Sequence, residues 1–381
     1  MNVLHINLNE FTNASRVIKQ CRSIGSLNYI DTIYVAAIHG NELERCEQIG
    51  ENIFLNRFEL WSRSLGKSAI WQLLKYIEFS VRILLFYRKK QIGIVNVHSV
   101  KSLPIGHLFK LLTGAKLVYD THELETETDD LVGARKKVVK YIEHFYIRKV
   151  NHIFVVGQKI ADWYADEYGI ARPTVVLNSP KLTRVKKNNY LRTKYGLRKD
   201  QKVFLYQGLI DCGRGIENLL AAFKARDGDN AVIVLMGYGP LADLAVEASS
   251  TTRNIFFHKA VPPDELLDIT ASADVGLAII PDTCLSYSYC LPNKLFEYVM
   301  SGIPVISSNL EEMASFIEKY RIGFIVEEQS ITAINIAIDT ICEANLAAFK
   351  KDTYVAAVEN SWEIQEVKML GAYNDLMGMN N

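Results

Sequence analysis

Short apolar runs alternate with helical segments along the whole chain. "NVLHIN", "TIYVAAI", "IGIVNVH", "AKLVYD", "HIFVVG" and "PTVVLN" mark the first half; "KVFLYQG", "AVIVLMG", "NIFFHK", "ADVGLAII", "IPVISS" and "GFIVE" mark the second. Runs apolar on both faces and separated by helices predict parallel sheets covered by helices, an α/β class. Two such sets in 381 residues predict two doubly wound, Rossmann-like domains, since one core seldom organises so long a chain. The polar, basic stretch "SPKLTRVKKNNYLRTKYGLRKDQK" at 179–202 lacks strand character. It places a linker near 180–190 and the domain boundary at 182/183. Ligands of open α/β sheets bind beyond the carboxyl ends of the strands, so two facing domains predict a crevice between them.

Composition narrows the class. Apolar residues are 49% and charged ones 23%, with 43 basic and 43 acidic side chains. That is a globular composition, and its balance argues against nucleic acid as a partner. The six cysteines are scattered without a CxxC or a His/Cys cluster, so neither a disulfide framework nor a metal site is expected. A reducing, cytoplasmic setting fits. "MNVLHINLNEF" reads as a first buried strand rather than a signal peptide, and no run approaches the roughly twenty apolar residues that span a bilayer.

Three constellations carry candidate chemistry. In "CLPNKLFEYVMSGIPVISS", residues 290–308, Pro292 suits a first helical turn and Asn293 a cap, making an anion site of the helix start. Lys294 and Glu297 are three apart and share a helix face; a surface ion pair is the plainer reading. In "LYQGLIDCGRGIENLLAAF", 205–223, a strand reaches Gly208 and Arg214-Gly215 opens an amphipathic helix. Glycines let backbone approach a phosphate and an arginine supplies a bidentate cation, although common βα loops look similar. In "KLVYDTHELETETDD", 116–130, a strand ends in Asp120, Thr121, His122 and Glu123, polar groups at a carboxyl end. The acids at 125–130 are expected to form a mobile loop.

"LPNKLFEYVMSGIPVISS" resembles the nucleotide-sugar signature of family-4 retaining glycosyltransferases of the GT-B fold, and the resemblance extends over most of the chain. It implies two Rossmann-like domains facing across a cleft. The acceptor would lie on 1–182 and the nucleotide-diphosphate sugar on 183–360, with a last helix at 361–381 crossing back to the N-terminal domain. Glu297 would hold the donor ribose, and Arg214 and Lys294 the diphosphate. Gly208, the Gly-rich exit "LMGYGP" at Gly237, and backbone around His258, Lys259 and Ala260 would flank phosphate and base. Tyr289 stands where the family often has a first glutamate, which leaves the backbone of Cys290 and Leu291 to meet sugar or phosphate. Leu209 replaces a basic position. His122 would contact the donor sugar, the departing phosphate or the acceptor hydroxyl, beside Asp120 and Glu123. In "NEFTNASR", 9–16, the paired glycines common in the family are missing; Asn13 and Arg16 would face donor or acceptor, unless Arg16 forms a helix-face salt bridge.

The implied reaction retains the anomeric configuration and needs neither metal nor cofactor, with Arg214, Lys294 and His122 as its catalytic groups. UDP- or GDP-sugar donors and a glycan or lipid-linked acceptor are expected, in surface polysaccharide biosynthesis. Residues 61–90 combine aromatic and basic side chains that suit a membrane surface at the inner face of the cytoplasmic membrane, or a covering helix with a solvated basic side. Two alternatives share the donor site: a nucleotide-sugar epimerase, which would turn over donor alone, and a non-catalytic nucleotide-sugar-binding assembly protein.

Overall fold

A computed structural model describes residues 1–12, 14–66, 68–226 and 230–379. The chain divides into two compact units, Met1–Val176 with Glu366–Asn381, and Leu177–Gln365. Unit 1 holds β1 (Asn2–Ile6), α1 (Ser15–Ile24), β2 (Thr32–Ile38), β3 (Cys46–Gly50), β4 (Ile53–Phe58), α2 (Ala69–Tyr87), β5 (Ile92–Val97), α3 (Leu103–Thr113), β6 (Lys116–Asp120), α4 (Gly133–Ile147), β7 (His152–Val155), α5 (Gln158–Tyr168) and β8 (Thr174–Val175). Residues 176–189 have no regular structure. Unit 2 follows with α6 (Tyr190–Tyr195), β9 (Lys202–Leu209), α7 (Ile216–Lys224), β10 (Ala231–Tyr238), α8 (Ala242–Thr251), β11 (Ile255–Lys259), α9 (Pro263–Thr270), β12 (Val275–Ala278), α10 (Leu285–Ser288), α11 (Asn293–Met300), β13 (Val305–Ser308), α12 (Glu311–Tyr320), β14 (Gly323–Val326), α13 (Ile331–Glu343) and α14 (Phe349–Glu359). The last helix, α15 (Trp362–Met377), enters unit 1 from Glu366 onward.

Unit 2 is a six-stranded parallel sheet in the order β11-β10-β9-β12-β13-β14. This is the doubly wound order, whose switch point lies between β9 and β12. Phe204, Ile233, Leu235, Ile306 and helix residues such as Leu219, Phe223 and Ile338 bury its faces, which explains the uninterrupted apolar runs. Unit 1 has eight strands, β3-β4-β2-β1-β5-β6-β7-β8, parallel except for the β3–β4 pair. Those two strands are absent from the sequence reading. "IFLNRF" alternates buried and partly exposed positions, and "CEQIG" has no buried residue, so neither forms the apolar run that marked the others. In unit 1 the order reverses between β1 and β5.

The helix that carries Lys294 and Glu297 starts at Asn293, with Pro292 extended at the cap position and no side chain capping it. Asn293 is therefore not the expected cap. What fixes α11 is Tyr298: its buried ring lies where a Cβ on Gly276 would come within 2.3 Å. Its hydroxyl reaches the Leu205 and Leu277 carbonyls, each at 3.0 Å, and accepts from the Gln207 N–H at 3.2 Å. One phenol thus ties the helix to β9 and β12 on either side of the switch point. Tyr298→Phe leaves these buried groups short of a partner and is expected to lower the stability of unit 2 by about 1–3 kcal/mol. Denaturant unfolding monitored in that unit checks it.

Candidate functional site

Where β9 ends, Gly208 pairs in register with Gly237 of β10. A Cβ on Gly237 would lie 1.8 Å from the Gly208 carbonyl oxygen, so this close approach demands glycine. The turn that follows ends at Gly215, whose φ of +71° starts α7, placing Arg214 at the mouth. Gly208, Arg214, Gly237, Lys294 and Glu297 line one pocket of about 360 Å³, whose remaining wall includes Tyr206, Gln207, Ala260 and Leu266. The loop after β9, the exit of β10 and the first turn of α11 are thereby brought together.

Two cations share this space. The Lys294 ammonium sits 3.6 Å from the centroid of the Tyr206 ring, and the Arg214 guanidinium 5.1 Å from that of Tyr287. Burial and then the charge of Arg214 push Lys294 down to about 7. A pocket that holds two cations together can stabilise an anion placed between them. Glu297 accepts a hydrogen bond of 2.5 Å from Gln207 Nε2.

Other expected donor-site residues fall beside the pocket rather than on its wall. Lys259 is exposed at the end of β11; its carbonyl lies 2.6 Å from His258 Nδ1, while the adjoining Ala260 and Val261 are lining residues. Tyr289, Cys290 and Leu291 join α10 to α11. The Cys290 thiol is pushed up to about 12 by burial, against the pull of Arg214 and Lys294. Tyr206, Gln207 and Tyr287 were missed by the sequence reading. The one available signal was Gln207, a polar residue closing an apolar strand.

In unit 1 the polar groups after β6 gather around Asp120. Arg16 donates to it through Nε (3.0 Å) and Nη2 (2.6 Å), Gln20 Nε2 donates at 2.8 Å, and His122 Nε2 lies 3.1 Å away. His98 Nδ1 is 3.4 Å from the same carboxylate, its Nε2 is 2.9 Å from His5 Nδ1, and the two rings stack. Burial alone would raise Asp120; Arg16 and His122 outweigh it and hold the carboxyl well below its usual range. Burial likewise drives His5 down, with His98 adding to it, and lowers His98 despite Asp120. Both rings are neutral at pH 7.

Of the two readings of Arg16, the structure shows the salt bridge: Arg16 and Asp120 are buried at 4% and 2% side-chain exposure as an ion pair, because two desolvated charges require one another. Arg16 also donates to the Val176 carbonyl at 2.8 Å. His122, over a third exposed, is the member of the cluster that reaches solvent. Its Nε2 is turned to Asp120. Glu123 is exposed beside it, its carbonyl accepting from Thr121 Oγ1 at 2.5 Å. Asn13 lies outside the described residues. The acidic stretch is not a mobile loop: Leu124 and Thr126 are buried, Glu125 accepts from the Val100 N–H, and Glu127 pairs with Lys136 and Lys140. His98, Asp120 and His122 also have the mutual spacing of metal ligands, yet Arg16, Gln20 and His122 already engage the Asp120 oxygens.

A second pocket, of about 220 Å³, lies at the unit 1 switch point, lined by Asn7, Asn9, His98, Ser99, Lys101 and Glu125 among others. The buried Asn7 Nδ2 has no hydrogen-bond partner among the described residues.

Comparison with known proteins bears on both units. The family model for glycosyl transferases group 1 matches residues 188–357, and that for Glycosyltransferase Family 4 matches 38–179. No curated relative matches the sequence. Similar solved structures include sucrose-phosphate synthase from Thermosynechococcus elongatus, 15% identical with a TM-score of 0.81 over 100% of both chains. Anabaena HepE in complex with UDP-glucose is 14% identical, TM-score 0.69, covering 99% of this chain and 98% of that one. WaaG, a glycosyltransferase involved in lipopolysaccharide biosynthesis, is 12% identical, TM-score 0.67, over 99% and 100%. At such identities the structures speak for the fold, which is GT-B, while the two models supply the family. The chain belongs with the family-4-like glycosyltransferases of the GT-B fold.

Proposed function

We propose that this glycosyltransferase takes its sugar from a UDP- or GDP-sugar held by unit 2, with retention at the anomeric carbon and no metal ion. The observation that carries the reading is the meeting of Arg214, Lys294 and Glu297 on one pocket. The Glu297 carboxylate accepts from the vicinal ribose hydroxyls. Arg214 and Lys294 meet the diphosphate, whose charge grows as the glycosidic bond breaks through an oxocarbenium-like transition state. They supply the neutralisation that a divalent ion provides in other sites. His122, oriented by Asp120, hydrogen-bonds the donor sugar, the departing phosphate or the acceptor hydroxyl. HepE in complex with UDP-glucose supports a nucleotide-sugar donor, and the polar pocket of unit 1 supports a hydroxylated acceptor.

The acceptor on this reading is a glycan or a lipid-linked glycan of surface polysaccharide assembly. Its support is the exposed apolar and basic side chains that α2 and α4 each carry. Ile70, Leu73, Ile77 and Val81 are exposed along α2, and Val138, Tyr141 and Phe145 along α4. Exposed Arg88, Lys89, Lys90, Arg135 and Lys137 accompany them, the pairing of apolar and cationic groups that suits an anionic lipid surface. Among the described residues no single helix is long and apolar enough to cross a membrane, so this contact would be peripheral.

Incubation with a panel of UDP- and GDP-sugars, with and without a membrane lipid extract, is expected to release nucleoside diphosphate only when extract is present. Glu297→Ala and Arg214→Ala should each lower the release rate at least tenfold. Conversion of donor without extract would favour the epimerase, and binding without release the assembly protein.

Co-sedimentation with anionic vesicles should be strong for the native chain and lost in Ile70→Asp/Ile77→Asp.

Lys294 gives the binding step a pH signature. Its value near 7 in the free protein rises when a diphosphate stabilises the ammonium, so binding above that pH takes up a proton. The contribution of Lys294 to the affinity for nucleoside diphosphate is therefore full below about 7 and falls as pH rises, by at most about tenfold per unit. Between roughly pH 7.5 and 9 the diphosphate no longer titrates, and Lys294→Met should flatten the profile. Titration calorimetry across that range, in buffers of different ionisation enthalpy, reads both the affinity and the proton uptake.

A further inference from the structure

Behind Glu297 lies a polar chain that runs from the pocket wall at Gln207 into the interior of unit 2. Gln207 Nε2 donates to Glu297 Oε2 at 2.5 Å, and Thr270 Oγ1 lies 2.8 Å from Gln207 Oε1. Gln207 and Thr270 are 1% and 0% exposed, in an environment where a misdirected amide is costly. The chain joins the last residue of α9 to β9 and to α11, across three separate elements.

The direction of these bonds follows from the proton count. The Thr270 hydroxyl has one proton and two acceptors in reach, Gln207 Oε1 and the Leu266 carbonyl at 2.7 Å. If the proton went to Leu266, the hydroxyl would have to accept from the Gln207 amide, turning the amide oxygen toward the Glu297 carboxylate. Two acceptors would then face each other. Donation from Thr270 to Oε1 is the arrangement that leaves Nε2 pointing at Glu297. Thr270 thus sets the amide, and the amide sets the carboxylate.

We infer that Thr270 and Gln207 are positioning residues that confer ribose selectivity, by fixing the Glu297 carboxylate before the nucleotide arrives. The inference rests on the reading of Glu297 as the ribose ligand. A carboxylate held in one plane meets a vicinal diol with little further ordering, whereas a free one loses side-chain freedom on binding. A deoxyribose lacks the hydroxyl that gains from this, so the difference between the two nucleotides reports the positioning.

The test compares dissociation constants of UDP and GDP with those of their 2′-deoxy and 3′-deoxy counterparts, for whichever base binds. Thr270→Val and Gln207→Leu are expected to weaken binding of the ribonucleotide about tenfold while changing that of the deoxy forms less than about twofold. Thr270→Ser, which keeps the hydroxyl, should restore the native ratio. Glu297→Ala separates the two levels of the argument. If it abolishes ribose discrimination while Thr270→Val and Gln207→Leu keep it, the positioning role is wrong and the ribose ligand stands. Should Glu297→Ala keep the native ratio, Glu297 is not the ribose ligand and the inference falls with it. Near-UV circular dichroism and the unfolding midpoint show whether each variant folds; if Gln207→Leu does not, the Thr270→Val and Thr270→Ser pair decides alone.

Discussion

The crowding of Arg214 and Lys294 on one small buried pocket is the constraint on which unit 2 is built. Burial, and then the repulsion between the two cations, is unfavourable for Lys294, which registers both by its lowered affinity for a proton. They stay because the surrounding fold leaves them little choice. Lys294 is carried on a helix pinned to two strands by Tyr298, and Arg214 stands at a turn whose following glycine has a left-handed backbone. The tyrosine rings beneath each cation return part of the cost, on the order of 0.5–2 kcal/mol apiece. Anionic charge placed between the two cations would relieve that repulsion.

Unit 1 treats charge in the opposite manner. Arg16 and Asp120 are both buried, and their bidentate contact makes them almost a neutral object. Breaking such a pair by removing one partner is far costlier than never having made it. What the pair offers is direction: an Asp120 that stays ionised accepts from His122 Nε2 and so orients the ring. His98 and His5 continue the network inward, reaching Asn96, which accepts from Tyr373 of the last helix at 2.5 Å. The histidine at the surface is thus the end of a buried chain rather than an isolated side chain.

Which of these features the sequence discloses depends on how far apart their parts lie. Lys294 and Glu297 are one helical turn apart and Gly208 and Arg214 share one βα loop, so local spacing suffices to place them. Parallel strands buried on both faces are equally plain as apolar runs. β3 and β4 are hidden because an antiparallel edge pair needs only one apolar face, and "CEQIG" has not even that. Arg16 and Asp120 are 104 residues apart, and a single sequence has no local pattern from which to infer that one neutralises the other. Gln207 shows only as a polar residue ending an apolar strand; Thr270, 63 residues on, shows not at all.

The two units place their polar pockets by the same topological rule. In each, the strand order reverses beside the first strand of the sheet, β9 in unit 2 and β1 in unit 1, and neighbouring loops leave in opposite directions. The gap that results is lined by whatever the strand ends carry. Unit 2 fills it with glycines and cations, which admit backbone and charge to a phosphate. Unit 1 fills it with amides, a serine, a lysine and Glu125, a carboxyl that burial pushes up to about 8, so that it keeps its proton at neutral pH. With Glu125 protonated, that set donates and accepts hydrogen bonds around the single charge of Lys101, whereas the unit 2 gap gathers two cations and a carboxylate. The same topological point thus carries two different chemistries in one fold.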